Sequence, residues 1–282
     1  MPELPEVETM RRGVLGIIGS AITAVESTGC RLAPISITPR LPTLRRRLVG
    51  RRVEAVDRVG KRLIVVCDSG VRLVIEPRMT GLVVLANPPN REHHRLRLRL
   101  AGGPAAEMLF WDRRGLGTWR LCREDEFAER FGPQRIGPDA LTISSRELRD
   151  RLRSSRRAIK VALLDQQVLA GVGNLYASEI LHVARIHPVT QPNELSPRQW
   201  TRLTRAIHDV LAEAIRYEGS TLGDGTYRTG LNEPGRYQNK HRVYDKAGQQ
   251  CPRCRDAEVV RFVQCQRSTF FCPRCQPGPG VA

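Results

Sequence analysis

Nothing in this chain would take it out of water. No apolar run reaches the ~18 residues of a membrane helix. The first residues lack the basic segment and apolar core of a secretory signal. No internal repeat recurs along the chain. Acidic residues are scarce: 29 Asp+Glu face 46 Lys+Arg, for a formal net charge of +17 and a pI near 10.5. That imbalance favours polyanionic partners. With no basic amphipathic anchor, nucleic acid comes ahead of an anionic membrane surface. A cytoplasmic setting is expected, nucleoid-associated if the source is bacterial. What is present is a globular composition, 40% hydrophobic over 282 residues, enough for two domains and a small appendage.

Taken in order, the chain changes character three times. Residues 9–28 read as a helix leading into a strand, with Gly16 and Gly19 marking the helix end. From about 43 to 122 short β-rich runs follow one another, closed by Gly, Asp or Pro. Among them RLRLRL alternates strictly, arginine out and leucine in, as a half-buried strand does. Five or more strands there predict a sandwich or barrel. Two Gly-Pro pairs in 131–142 read as a linker. Beyond it the spacing becomes helical, ending in a long helix with Ser196 as N-cap, Pro197 at its first position and Gly219 past its end. Residues 220–250 have little periodicity and read as a long mobile loop, with one strand near His241–Tyr244.

Cysteine usage points to a metal. Cys30, Cys67 and Cys122 are scattered among apolar or mixed residues and read as buried free thiols. The other five of the eight cysteines crowd the C-terminal region. Cys251-Pro-Arg-Cys254, seventeen residues, then Cys272-Pro-Arg-Cys275 is the spacing of two knuckles that supply four thiolates to one structural Zn2+. Four protein ligands leave no open position, so no catalytic metal or organic cofactor is expected. Cys265 reads as a hairpin residue, and Arg267 sits where that hairpin turns back. Such an arginine reaches a phosphate or a groove when the metal holds it in place, and is otherwise a solvated charge.

Two further stretches carry chemistry. Removal of Met1 would make Pro2 the terminal residue, a secondary amine that is partly unprotonated near neutral pH. Such an amine attacks an electrophilic carbon to give an iminium. Glu3 and Glu6 beside it supply acid/base groups, although proline and acids also suit an ordinary first helical turn. In DQQVLAGVGNLYASE a Gly-x-Gly-Asn turn opens a helix, a geometry that offers backbone amides to a phosphate. Asn174 there is also a plausible plain N-cap, and Lys160 with the arginines of 151–157 would add cationic contacts. A dinucleotide fingerprint is excluded, because the preceding segment is helical and the third glycine is missing.

PELPEVE, the VGKR turn around Lys61, DQQVLAGVGNLYASE and CPRC…QRSTFFCPRC, in this order, together resemble the formamidopyrimidine-DNA glycosylases. These form one family of bifunctional base-excision repair enzymes with the endonuclease VIII group. The resemblance covers essentially the whole chain. It implies an α+β multidomain fold: an N-terminal catalytic β-sandwich with a flanking helix (1–130), a linker (131–147), a helix–two-turns–helix domain (148–240) and a four-cysteine zinc-finger β-hairpin (241–282). It makes Pro2 the nucleophile, Glu3 its acid/base partner, Lys61 the lysine of the elimination steps, and Glu6 the second acid of the pocket. Arg267 would bind phosphates and serve δ-elimination. Asn174, Lys160 and His94 would contact DNA. Met79 would fill the void left by the flipped base, with Arg114 facing the orphaned base and Leu116 wedging the stack. The implied partner is double-stranded DNA with oxidised bases or abasic sites, bound by a monomer.

Some positions depart from the family pattern. Leu116 stands where an aromatic wedge is usual and Gly115 where a second arginine is usual. Glu76-Pro77-Arg78 replaces histidine-leucine-glycine, and Gln266 replaces the glycine before Arg267. PELPEVE points to the oxidised-purine branch. The alternatives are an endonuclease VIII-type enzyme for oxidised pyrimidines and a non-catalytic DNA-damage binder.

Overall fold

The computed structural model describes residues 2–278 except 31, 33, 224, 226, 230 and 231. Two compact units are present, Met1–Gly132 with Ile215–Gln238 and Pro133–Ala214 with Asn239–Ala282. The segment 215–238 thus groups with the β-rich unit.

In that unit α1 (Leu4–Gly13) begins five residues earlier than the apolar spacing suggests. Pro5 pre-sets φ in the first turn, and the Glu6 carboxylate reaches back to the Glu3 amide at 2.8 Å. A short 3-10 turn (Leu15–Ile17) follows, and Gly19, at φ 86, leads into β1 (Ala21–Ser27). Next come β2 (Ser36–Thr38), α2 (Leu41–Leu48), β3 (Val53–Val59), β4 (Arg62–Cys67), β5 (Val71–Glu76), β6 (Gly81–Val84), β7 (His94–Ala101), β8 (Glu107–Asp112), β9 (Thr118–Cys122) and α3 (Glu124–Phe131). They form one sheet in the order β1-β7-β8-β6 and another in the order β2-β9-β5-β4-β3. Leu96, Leu98, Met108 and Phe110 of the first share a core with Leu63, Val65, Leu73 and Trp119 of the second, and Val7 and Met10 of α1 join it with Val14 just past the helix end. This is the expected sandwich. In β4 every second residue also meets the other face, where Ile64 packs with Val74, Cys122 and Phe127 under α3. That double burial explains why β4 reads as a continuous apolar run rather than an alternation. β7 alternates as its sequence says, except that Arg95 is buried because its guanidinium bonds the carbonyl oxygen of Asp112 at 2.8 Å.

The second unit is helical with a β-hairpin. Its helices are α4 (Ser145–Leu152), α5 (Ile159–Leu163), α6 (Asn174–Ala184) and α7 (Pro197–Arg216). Ser144 caps α4, and Ser196 with Gln199 forms a reciprocal cap on α7. Antiparallel β10 (Val260–Gln264) and β11 (Arg267–Phe271) complete it. Val243, Val259 and Phe270, with Tyr244 against them, make a small core beside the cysteines. The expected strand at His241–Tyr244 is not formed. The backbone amides of Arg242, Val243 and Tyr244 all donate to the buried Glu179 carboxylate at 2.8–3.0 Å, which leaves none of those three donors for a partner strand.

Candidate functional site

The first turn of α1 gathers the N-terminal chemistry. Pro2 and Glu3 are buried, and Glu6 is 2% exposed. The Glu6 carboxylate is fixed from two sides. Oε2 accepts the Glu3 amide at 2.8 Å, and Oε1 accepts the Ser220 amide at 2.9 Å. Gly219, at φ 77, permits this approach, since a Cβ there would lie 2.8 Å from Glu6 Oε1. The described part of 217–238 is held by its own bonds. Thr221 Oγ1 donates to the Tyr227 carbonyl at 2.7 Å and accepts the Gly235 amide at 2.8 Å, and the Tyr227 hydroxyl donates to the Glu218 carbonyl at 2.9 Å. Burial, then the Glu6 charge, raises the Tyr227 phenol well above its ordinary range, so it stays a neutral donor. Sequence reasoning marked Gly219 only as the end of the long helix and did not single out Ser220.

Lys61 occupies the two-residue turn between β3 and β4, where Val59 pairs with Arg62. Gly60 takes φ 57 at the first turn position, the sign a tight hairpin needs.

Met79 and Leu116 are the exposed apolar tips of two neighbouring turns, 37% and 44% exposed. Their strands β6 and β8 pair with Gly81 opposite Asp112, which sets the turns side by side. Arg114 is exposed in the second turn. His94, by contrast, is buried at the start of β7, and burial followed by the Arg97 charge lowers its pKa.

Lys160 is the deepest cation in the helical unit, 1% exposed. Its ammonium donates to Asn174 Oδ1 at 2.8 Å, Thr269 Oγ1 at 2.7 Å and the Ser268 carbonyl at 3.0 Å. All three donors are used, so the lysine positions Asn174 and the start of β11 rather than pointing its charge outward. Asn174 is the first residue of α6, not its cap, which is Gly173. Its Nδ2 donates to the Ser268 carbonyl at 3.0 Å. Gln166 braces the preceding turn by accepting the Gly171 amide and donating to the Leu164 and Val172 carbonyls, each at 2.9 Å. Arg267, exposed, begins β11 opposite Gln264. Cys265 and Gln266 fill the turn at φ 47 and 59, as a two-residue type I′ hairpin requires.

The Sγ atoms of Cys251, Cys254, Cys272 and Cys275 lie within 4.8 Å of one another. Two of the separations are 3.9 Å (Cys251–Cys275) and 3.6 Å (Cys254–Cys272). A tetrahedron with metal–sulfur bonds of about 2.3 Å has edges of roughly 3.8 Å, so the cluster fits one tetrahedral metal ion. Cys67 and Cys122 are buried in the β-rich unit, and burial pushes the Cys67 thiol up to about 12, which keeps it an unreactive thiol.

Comparison with known proteins settles the lineage. Residues 1–119 match the formamidopyrimidine-DNA glycosylase N-terminal domain, and 136–225 match the formamidopyrimidine-DNA glycosylase H2TH domain. The formamidopyrimidine-DNA glycosylase of Chloroflexus aurantiacus is 38% identical over 98% of both chains, and that of Lactococcus lactis subsp. cremoris 35% over 98% of this chain and 99% of its own. The chain belongs to the formamidopyrimidine-DNA glycosylase family. It is a DNA glycosylase. Among solved structures, the Lactococcus lactis enzyme in complex with abasic-site DNA superposes with a TM-score of 0.85 at 33% identity, covering 98% of this chain and all of that one. A complex of the same enzyme with Fapy-dG DNA matches at 0.84.

Within that family frame the departures acquire geometry. Arg78 stands where the family has glycine and keeps a left-handed backbone, φ 56, immediately before Met79. Glu76, where histidine is usual, accepts Arg62 at 2.6 Å and lies 3.5 Å from Arg78, so two guanidinium groups offset its charge. Gln266, where glycine is usual, takes a positive φ of 59. Both departures place a non-glycine residue in the left-handed region.

Proposed function

We propose that this protein excises oxidised purines, 8-oxoguanine and formamidopyrimidines, from double-stranded DNA and then cleaves the abasic site. The amine of Pro2 attacks C1′ of the flipped nucleotide, the glycosidic bond breaks, and the base departs. Glu3 protonates the ring oxygen as the sugar opens to the iminium. Lys61 and Arg267 serve the proton and phosphate contacts of β- and δ-elimination. Met79, Arg114 and Leu116 occupy the space the lesion vacates, and His94, Lys160 and Asn174 support the DNA contacts, the first two from buried positions. The observation that carries this reading is the buried Pro2–Glu3 start, with Glu6 held between the Glu3 and Ser220 amides. In family terms residues 1–130, 148–240 and 241–282 act as catalytic, helical and finger domains around a linker at 131–147.

Zn2+ is the metal we assign to the four cysteines, since a closed four-thiolate tetrahedron is its preferred structural site. When bound it stabilises the finger, and it has no open position for water. Cys272→Ser is expected to lose metal and DNA affinity together.

Borohydride trapping tests the chemistry on two duplexes, one with 8-oxoguanine opposite cytosine and one with 5-hydroxyuracil. A covalent band, stronger on the purine lesion and absent from Pro2→Gly while that variant still binds DNA, is the expected result. A band mainly on the pyrimidine lesion moves the protein to the endonuclease VIII side. Undiminished trapping by Pro2→Gly, with Met1 removal verified by mass spectrometry, removes proline as the nucleophile.

A further inference from the structure

His182 lies in the last turn of α6, and its Nε2 is 3.4 Å from the Sγ of Cys251. Both side chains are buried, 1% and 0% exposed. The other ring nitrogen, Nδ1, is buried with no hydrogen-bond partner among the described residues. These facts select a tautomer. With the proton on Nδ1, a buried N–H donor would be orphaned and the Nε2 lone pair would face the sulfur lone pairs. With the proton on Nε2, the sulfur receives an N–H and only an acceptor lone pair goes unused, the smaller loss. A ring N–H to sulfur at this distance is a normal hydrogen bond.

We infer that His182 is a positioning residue of the metal centre, donating Nε2–H to the Cys251 thiolate. This rests on the metal reading of the four cysteines and goes beyond it, because the ligand spacing contains no histidine and His182 precedes Cys251 by 69 residues. Its physical effect follows from charge. Four thiolates around a divalent cation carry a net charge of about −2. A buried N–H on one sulfur takes up part of that charge, which lowers the tendency of the thiolate to accept a proton and leave.

The same end of α6 is fastened to the finger twice more. Arg253, between Cys251 and Cys254, donates to the His182 carbonyl at 3.0 Å. Gln276 accepts the Cys272 amide at 3.0 Å and donates to the Ile186 carbonyl at 2.8 Å. At the other end of the helix, Asn174 holds the Ser268 carbonyl next to Arg267. One helix therefore joins the metal to the start of β11, and His182 is the joint on the metal side.

The test uses the full chain loaded with Zn2+ and, separately, Co2+. His182→Leu and His182→Phe remove the donor, the second with ring volume kept. His182→Gln keeps an N–H donor. We expect both donorless variants to release Zn2+ to a chromophoric chelator about tenfold faster than the parent, within the range seen when a group bonded to a metal ligand is removed. We also expect their thiolate-to-Co2+ charge-transfer band to move to lower energy, because a sulfur without its hydrogen bond is easier to oxidise. His182→Gln should restore band and release rate towards the parent. Parent-like release and an unshifted band in His182→Phe overturn the assignment. Faster release with unshifted bands, unrelieved by His182→Gln, reduces His182 to packing and overturns it equally. A parent chain that binds no stoichiometric metal overturns the metal reading itself, and this assignment with it.

Discussion

The hydroxyl of Thr80 donates to the carboxylate of Asp112, and this bond ties together the turns that carry Met79 and Arg114. Thr80 Oγ1 also accepts the Arg114 amide at 3.0 Å, while Asp112 accepts the amides of Gly117 at 2.7 Å and Arg114 at 3.2 Å. Asp112 is fully buried. Thr80→Val keeps the shape of the side chain and removes the donor. It should lower stability by about 1–3 kcal/mol, the cost of an under-satisfied buried group. Because the relation of Met79 to Leu116 loosens too, affinity for a lesion duplex should fall more than affinity for undamaged DNA. Thermal unfolding and paired binding titrations, with Thr80→Ser as the rescue, check both parts. Equal losses on the two duplexes would show that the clamp is structural only.

Glu8 is the centre of a cationic knot and gives the β-rich unit an acid limit. Its carboxylate accepts Arg11 and Arg12 at 2.9 Å and Arg58 at 3.2 Å. Burial alone would raise its pKa, but the bonds from Arg11 and Arg12 and the charges of Arg11 and Arg58 outweigh it and hold the group at about 2, against an ordinary 4.5. The folded value is below the unfolded one, so the stabilisation is complete above about pH 4.5 and is lost as pH falls towards 2. Its full size is on the order of 2–3 kcal/mol. Denaturant unfolding at pH 7 and pH 3 should show Glu8→Gln well below the parent at pH 7 and the gap narrowed at pH 3. A constant gap would mean that Glu8 acts by packing rather than charge.

Arg78 is expected to serve DNA rather than the fold. A non-glycine residue in the left-handed region carries a conformational cost of roughly 1–2 kcal/mol. Glu76 keeps Arg62 at 2.6 Å when Arg78 is removed. Arg78→Gly should therefore not lower the melting temperature. If Arg78 meets a phosphate beside Met79, the slope of log affinity against log salt should fall by about one. An unchanged slope with a lowered melting temperature would make Arg78 a structural partner of Glu76 instead.

What could be read from the sequence was what is local. The cysteine pairs, the PELPEVE start, the alternation in β7 and the Ser196 cap each lie within a few residues, where spacing alone carries the geometry. What escaped was set by distant partners. Ser220 meets Glu6 across 214 residues, and Lys160 meets Ser268 and Thr269 across more than 100. No spacing rule could place either, so the burial of Lys160 against β11 was not foreseen. The strand expected at His241–Tyr244 failed for the same reason, because Glu179 takes its amides from 63–65 residues away. The eight-residue helices α2 and α3 carry too few turns to show a period and were found only by packing.

Gly219 offers the sharpest test of the pocket, because it separates geometry from chemistry. Its φ of 77 is unfavourable to any side chain, and a Cβ would sit 2.8 Å from Glu6 Oε1 and 2.9 Å from Glu6 Cγ. Gly219→Ala cannot be accommodated by a flexible side-chain tip alone, since Glu6 is itself held by the Glu3 amide. Either the Ser220 contact opens or the Glu6 carboxylate moves, and with it the backbone of Glu3. Neither alternative touches Pro2 chemically. The variant should bind undamaged DNA as the parent does, yet form the borohydride-trapped adduct at least tenfold more slowly, a barrier increase of about 1.4 kcal/mol. Glu6→Gln removes the charge and leaves one acceptor oxygen, so its NH2 group faces either the Glu3 or the Ser220 amide. If Glu6→Gln traps normally and Gly219→Ala does not, one accepted amide is enough and the displacement of Glu6 and Glu3 is what slows the reaction. If both fail alike, the doubly accepting carboxylate is needed, and if Gly219→Ala traps at the parental rate, the Ser220–Glu6 contact has no part in the reaction.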